Sequence, residues 1–175
     1  MKRAALLRGI NVGGHAILPM KELVAIFEKL GCQDVCSYIQ SGNVVFDAPA
    51  ALVKRVPAAV TAAIAKKYGV SPAVLLRDHD ELAAIARGNP FASAEPNRLH
   101  VAFLLDAPAK AAIAALDPAR SPGDTFKVRG REIYLHLPNG AGKTKLSNAW
   151  FDAKLSTVST WRNWNTLQKL VEMTA

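Results

Sequence analysis

Over the first 78 residues, short apolar runs alternate with segments whose apolar residues recur at helical spacing, in an order that leaves few folds open. Ala4–Ile10 is short and apolar and runs into Asn11–Val12–Gly13–Gly14, the pattern of a buried strand entering a tight loop. Pro19 opens a helical segment with Leu23, Ile26, Phe27 and Leu30 on one face, and Gly31 closes it. Asp34–Gln40 and Asn43–Asp47 read as two strands with Ser41–Gly42 at the turn. Ala50–Tyr68 is alanine-rich and helical, with Gly69 where a C-terminal cap belongs, and Ala73–Arg77 is a fourth strand. The resulting order, β-α-β-β-α-β, is that of a ferredoxin-like unit.

The remainder partly repeats it. His79–Arg87 reads as a short helix, Gly88 to Pro96 as a loop, and Arg98–Asp106 as the most apolar strand of the chain. A helix at Pro108–Leu116, a turn-rich link at Asp117–Asp124 and a hairpin of Thr125–Arg129 with Arg131–Leu137 around Gly130 follow. Past Pro138–Asn139–Gly140, helices are expected at Lys145–Leu155 and Trp161–Met173, with Thr160 as the cap of the latter. The expectation is an α+β protein of two ferredoxin-like subdomains, residues 1–78 and 79–175, with antiparallel sheets and C-terminal helices. No linker separates the halves and no sequence repeat relates them, so they are read as one folding unit.

Half of the 175 residues are apolar and 21% are charged, enough to build a core and too few charges for a disordered chain. The net charge of +8 is spread as +1, +3 and +4 over residues 1–50, 51–100 and 101–175. Such a surface suits nucleic acid, anionic metabolites or acidic proteins without selecting among them. Two cysteines, Cys32 and Cys36, cannot make a disulfide framework and suit a reducing compartment. The apolar stretch at Ala4–Leu7 is too short for a secretion signal, and no run approaches the ~18 residues of a membrane span. A soluble cytoplasmic protein with no membrane partner is expected.

Chemistry-bearing motifs are sparse. Gly140–Ala141–Gly142–Lys143–Thr144 imitates a phosphate loop, but the glycine that such a loop needs five positions before Gly142 is Leu137. What is left is a glycine turn with Lys143 and Lys145 at a helix start, able to meet an anion or to be a solvated turn. Arg8 ends an apolar strand and is followed by Asn11, Gly13 and Gly14; it reads either as a forked donor for a carboxylate or phosphate or as the partner of an internal carboxylate. Gln40, Ser41 and Asn43 cluster at a strand turn, and Arg162, Asn163 and Asn165 at a helix start beside two tryptophans. His15, His79, His100 and His136 have no metal-ligand spacing, so no metal is expected, and no serine has the context of a nucleophile elbow, so the sequence assigns no catalytic residue. Asp78, Asp80 and Glu81 suit a helix N-terminus, with a general base as the other reading.

The stretches Leu7–Gly14, Tyr38–Phe46 and Thr160–Thr166, with Met20, resemble the signatures of the bacterial domain-of-unknown-function 1697 family over essentially the whole chain. The resemblance implies two ferredoxin-like subdomains with C-terminal helices, and no established activity or cofactor. The family pattern has an aromatic and a threonine where this chain has Cys32 and Cys36, in keeping with incidental thiols.

The leading expectation is a pocket for an anionic small ligand, a nucleotide or phosphorylated metabolite. Arg8, Arg162 and Lys143 would supply charge, and Asn11, Gln40, Ser41, Asn43, Asn163 and Asn165 neutral hydrogen bonds, with Gly13 and Gly14 permitting close approach. Nucleic acid is the alternative partner, although the first and third strands lack the stacked aromatics of an RNA-recognition motif. A small enzyme using Asp78 and a purely structural polar cluster are the other readings. Oligomeric state has no signature in the pattern.

Overall fold

The computed structural model describes residues 1–14 and 17–175; His15 and Ala16 lie outside the described residues. The chain divides into two units, Met1–Leu82 with Leu170–Ala175, and Ala83–Lys169. Among the described residues no helix is long and apolar enough to cross a membrane.

The first unit contains β1 (Arg3–Leu7), α1 (Met20–Lys29), β2 (Gln33–Tyr38), β3 (Asn43–Asp47), α2 (Ala50–Val53), α3 (Val56–Tyr68) and β4 (Val74–Asp78). Its strands form an antiparallel sheet ordered β2-β3-β1-β4, with Leu6 opposite Asn43 on one side of β1 and Leu75 on the other. Alternation along the strands sends Ala5, Leu7, Val44, Phe46 and Val74 to one face. There they meet Leu23 and Phe27, one turn apart on α1, and Val60 and Ile64, one turn apart on α3. Ala4, Leu6, Val45 and Leu75, of opposite parity, are buried as well.

The single helix expected over Ala50–Tyr68 is two helices. Pro57 has no N–H to give the Val53 carbonyl, and its ring crowds that carbonyl, so α2 stops at Val53 and α3 restarts with the proline in its first turn. Gly69 caps α3 at φ +71° as the sequence suggests. The unit is completed by the chain's last residues. Leu170 and Thr174 are buried, the Thr174 hydroxyl lies 3.3 Å from Nδ1 of His79, and Lys2 Nζ donates to the carbonyl of Ala175 at 3.4 Å.

After β4 the chain forms α4 (His79–Arg87), β5 (Leu99–Leu104), α5 (Lys110–Ala114), β6 (Thr125–Arg129), β7 (Glu132–His136), α6 (Asn148–Leu155), β8 (Ser159–Asn163) and α7 (Trp164–Thr174). The second sheet is ordered β6-β7-β5-β8, again antiparallel, so each strand holds the place of its counterpart four strands earlier. Ala102, Leu104, Ile133 and Leu135 pack against Phe151 and Leu155 of α6, with Phe126, Trp150 and Trp161 at the margin. The fold is thus α+β, with two four-stranded antiparallel sheets in ferredoxin-like order.

One element corrects the sequence reading. Trp161 does not begin a helix and Thr160 does not cap one; both lie in β8, paired with Ala102 and Phe103 of β5. Without β8 the most apolar strand of the chain would leave an edge unpaired, and Thr and Trp suit a pleated, half-buried surface. The cap is Asn163, whose Oδ1 accepts from the Thr166 N–H at 2.8 Å, just as Asp78 Oδ1 accepts from the Glu81 N–H at 3.0 Å after β4. Each fourth strand therefore ends on a buried arginine followed by a capping side chain, Arg77–Asp78 and Arg162–Asn163. The halves repeat by role where they share little sequence.

Candidate functional site

The polar residues singled out from the sequence fall in both units. In the first, Arg8 follows β1, half-buried, its N–H donating to the Ala73 carbonyl at 2.9 Å. Asn11 sits at φ +55°; its Oδ1 accepts from the Leu18 N–H at 2.7 Å and its Nδ2 donates to the Leu18 carbonyl at 2.8 Å. One side chain thereby imitates a pair of strand hydrogen bonds and closes the loop that holds Gly13 and Gly14, both at positive φ. Asn43 is fully buried, and its Nδ2 donates to the Tyr38 carbonyl at 3.1 Å and to Ser41 Oγ at 3.0 Å, fixing the β2–β3 turn. Gly42 is required in that turn, since a Cβ there would stand 2.9 Å from Cγ1 of Ile10. Gln40 is exposed at the tip.

In the second unit Arg162 is buried, and its Nη1 donates to Thr160 Oγ1 at 2.8 Å and to the Trp161 carbonyl at 2.6 Å. Burial pushes its guanidinium down to about 10, so it keeps its charge at neutral pH. Asn163 serves as the cap and Asn165 is exposed on α7. Lys143 is exposed, and its N–H closes a turn onto the Gly140 carbonyl at 3.2 Å. The N–H groups beyond it are occupied too, Lys145 on Ser121 Oγ at 2.9 Å and Leu146 on Thr144 Oγ1 at 3.1 Å. Ser121 in turn donates to Asp124 Oδ2 at 2.6 Å. This segment is braced by Ser121, Asp124 and Thr144.

A different group of residues stands open. A cleft of about 510 Å³ in the second unit is lined by Phe91, Ser93, Glu95, Arg98 and His136, with prolines at its margins. His136, at the end of β7 and opposite Leu99 across the ladder, and Pro138 close one side of it. Its wall is the loop from Gly88 to Arg98, and that loop is firmly placed. The Tyr134 hydroxyl donates to the Ile85 carbonyl at 2.9 Å, and Arg129 Nη1 donates to the Gly88 carbonyl at 2.6 Å. Gly88 sits tightly there: a Cβ would stand 3.0 Å from the Tyr134 oxygen and 3.1 Å from the Ala84 carbonyl, so these neighbours would have to give by a few tenths of an ångström. Burial, with Glu132 nearby, pushes the Tyr134 phenol up to about 12, so it remains a donor at any ordinary pH. Further along, the Phe91 N–H bonds Asn89 Oδ1 at 2.9 Å, the Ala94 N–H bonds the Phe91 carbonyl at 3.0 Å, and the Leu137 N–H bonds the Arg98 carbonyl at 2.8 Å.

Several backbone groups of this wall are paired in this way, whereas four of its side chains are not. Among the described residues, Ser93, Glu95, Arg98 and His136 make no side-chain hydrogen bond or ion pair. The Arg98 guanidinium rests against Gly140, where a Cβ would stand 3.2 Å from Nη1; Gly140 itself is at φ +86°, left-handed backbone that favours glycine. The rings of Phe91 and His136 meet at 5.8 Å between centroids, tilted by 38°. A forked cation, a hydroxyl, a carboxylate and an aromatic wall on a braced backbone can hold and orient a small polar molecule. From the sequence this segment reads only as a loop. The available signal is a proline-bounded loop carrying a phenylalanine, a serine and a glutamate beside an arginine, in the class of segment on which binding residues concentrate.

The fold and this cleft define a class: a tandem of two ferredoxin-like units, the second bearing a small polar cleft. The chain belongs to the family described as protein of unknown function (DUF1697), whose model matches residues 1–134. A solved structure, that of a conserved bacterial protein from Streptococcus pneumoniae, is similar to it with a TM-score of 0.74 and 24% identity, over 99% of this chain and 98% of that one. At that identity the likeness speaks for the fold. No curated protein matches the sequence.

Proposed function

We propose that this protein binds a small organic anion, a carboxylate- or phosphate-bearing molecule with a flat apolar portion, in the cleft of the second unit. The observation that carries the reading is Arg98, a half-buried guanidinium seated over Gly140 with no anionic partner among the described residues. Its fork would take the anion, and the Phe91–His136 pair would cover the flat portion. The residues expected from sequence to form the pocket are not among those that line this cleft: Lys143 stands on the segment that Gly140 opens, and Asn11, Asn43 and Asn163 are engaged in loop closure and capping. Both cysteines are free thiols, Cys36 exposed, which supports a reducing, cytoplasmic setting.

Titrating the protein with adenosine monophosphate, phenyl phosphate and benzoate tests this. The readouts are the thermal midpoint and the Arg98 Nε–H resonance. At least one anion is expected to raise the midpoint by several degrees at ~100 times its dissociation constant. It should move the Arg98 signal and lose both effects in Arg98→Gln. Silence from all three, or a response that Arg98→Gln leaves intact, would refute the reading.

A further inference from the structure

Glu95 is out of place in a site for a simple anion. It lines the same cleft as Arg98, at the other end of the Pro96–Arg98 turn, and its carboxylate would repel any anion that Arg98 attracts. Glu95 has extended backbone just before the turn, so its side chain is not stacked on that of Arg98 as a helical i, i+3 pair would be. Here the two residues share only a backbone hydrogen bond, from the Arg98 N–H to the Glu95 carbonyl at 2.9 Å. Their charged ends make no ion pair with each other or with any other described residue, and the guanidinium lies against Gly140 instead. The braced wall thus holds a free cation and a free anion on one small cavity, with the Phe91–His136 rings on the same cavity and the Ser93 hydroxyl unengaged.

We infer that the ligand of this cleft is a zwitterion, an amino-carboxylate of the size of a free amino acid. Its carboxylate accepts from the Arg98 fork and its ammonium donates to Glu95, while its side chain lies against Phe91 and His136. This rests on the reading of the cleft as an anion site and narrows it, because only a ligand with both charges turns Glu95 from a repulsive neighbour into a partner. Ser93 Oγ offers the ammonium a second acceptor.

Three probes that share one ring separate the charges: L-phenylalanine, 3-phenylpropionate with the carboxylate alone, and 2-phenylethylamine with the amine alone. Affinities are read by calorimetry, and the Arg98 Nε–H resonance reports the place of binding. L-Phenylalanine is expected to bind about tenfold more tightly than either single-charge probe, since each charge adds a charge-assisted hydrogen bond. Glu95→Gln should erase its advantage over 3-phenylpropionate, leave 3-phenylpropionate as tight or tighter, and leave the thermal midpoint of the free protein unchanged. If 3-phenylpropionate matches L-phenylalanine in the native protein, or the advantage survives Glu95→Gln, the zwitterion inference fails while the anion reading stands. If none of the three probes moves the Arg98 resonance while adenosine monophosphate, phenyl phosphate or benzoate does, the zwitterion inference fails alone; if those anions are silent as well, or if Arg98→Gln changes nothing, both fail together.

Discussion

Gly42 and Gly69 offer a matched pair of perturbations. Both adopt left-handed backbone, at φ +75° and +71°, so an alanine at either pays the same conformational cost of roughly 1 kcal/mol. Their surroundings differ. Nothing lies within 4 Å of a Cβ on Gly69, whereas a Cβ on Gly42 would stand 2.9 Å from Ile10 Cγ1, 3.0 Å from Ile10 Cδ1 and 3.0 Å from Leu7 Cβ. Ile10 and Leu7 are each 1% exposed, so neither can yield toward solvent. The Leu7 N–H also donates to the Gly42 carbonyl at 2.9 Å, which resists widening the gap. Overpacking of this kind adds about 1–3 kcal/mol. Gly42→Ala should therefore lose about 2–4 kcal/mol and Gly69→Ala about 1 kcal/mol. For a chain of this size that is a fall of very roughly 6–12 °C against about 3 °C in thermal midpoint. Urea unfolding followed by far-ultraviolet circular dichroism gives the free energies. Equal losses in the two variants would show that the β2–β3 turn relaxes freely and that the packing of Ile10 on Gly42 carries no weight.

Other perturbations test the core, the caps and a histidine whose titration burial shifts. Phe27→Ala, which empties a fully buried position against Phe46, should cost about 3–5 kcal/mol in the same urea assay. Asn163→Ala should cost about 1 kcal/mol and Asn163→Asp almost nothing, because the aspartate still offers an acceptor to the Thr166 N–H; equal losses would contradict the cap. Burial holds the His100 imidazole below its ordinary value, and its Nδ1 has no partner. The unfolded chain therefore binds the extra proton first, and stability should fall as pH drops below about 6.5, levelling off once the folded-state value is passed. The slope of the urea midpoint between pH 5 and 7 should shrink in His100→Gln; an unchanged slope would show that His100 is not its source.

Local rules carried most of the fold. Gly69 capping α3, the Asn43–Asp47 strand and the whole of α4 follow from patterns a few residues long. What failed was decided at a distance. Ser159–Asn163 became a strand because β5 offered it an edge some sixty residues earlier, and no local signal in Thr160–Trp161 outweighs a good helix N-terminus. The repeat of the two halves was hidden for a related reason. Arg77–Asp78 and Arg162–Asn163 do the same work, yet their neighbours differ wherever only burial or pleating is required. The polar clusters were easy to see, since Asn11 and Asn43 stand out beside apolar strands. Their hydrogen bonds to Leu18 and Tyr38 belong to loop geometry that composition does not encode. The cleft was overlooked in its turn because an arginine without a carboxylate looks, in a sequence, like any other arginine.

The division of the chain has a consequence for its biosynthesis. The second unit is one continuous stretch, Ala83–Lys169, lodged between two pieces of the first. As the polypeptide leaves the ribosome from its N-terminus, the second unit has all its residues before the first receives Leu170 and Thr174. The unit that is begun earliest is thus the last to close. Until its final residues arrive, the growing chain carries one unfinished unit and one finished one.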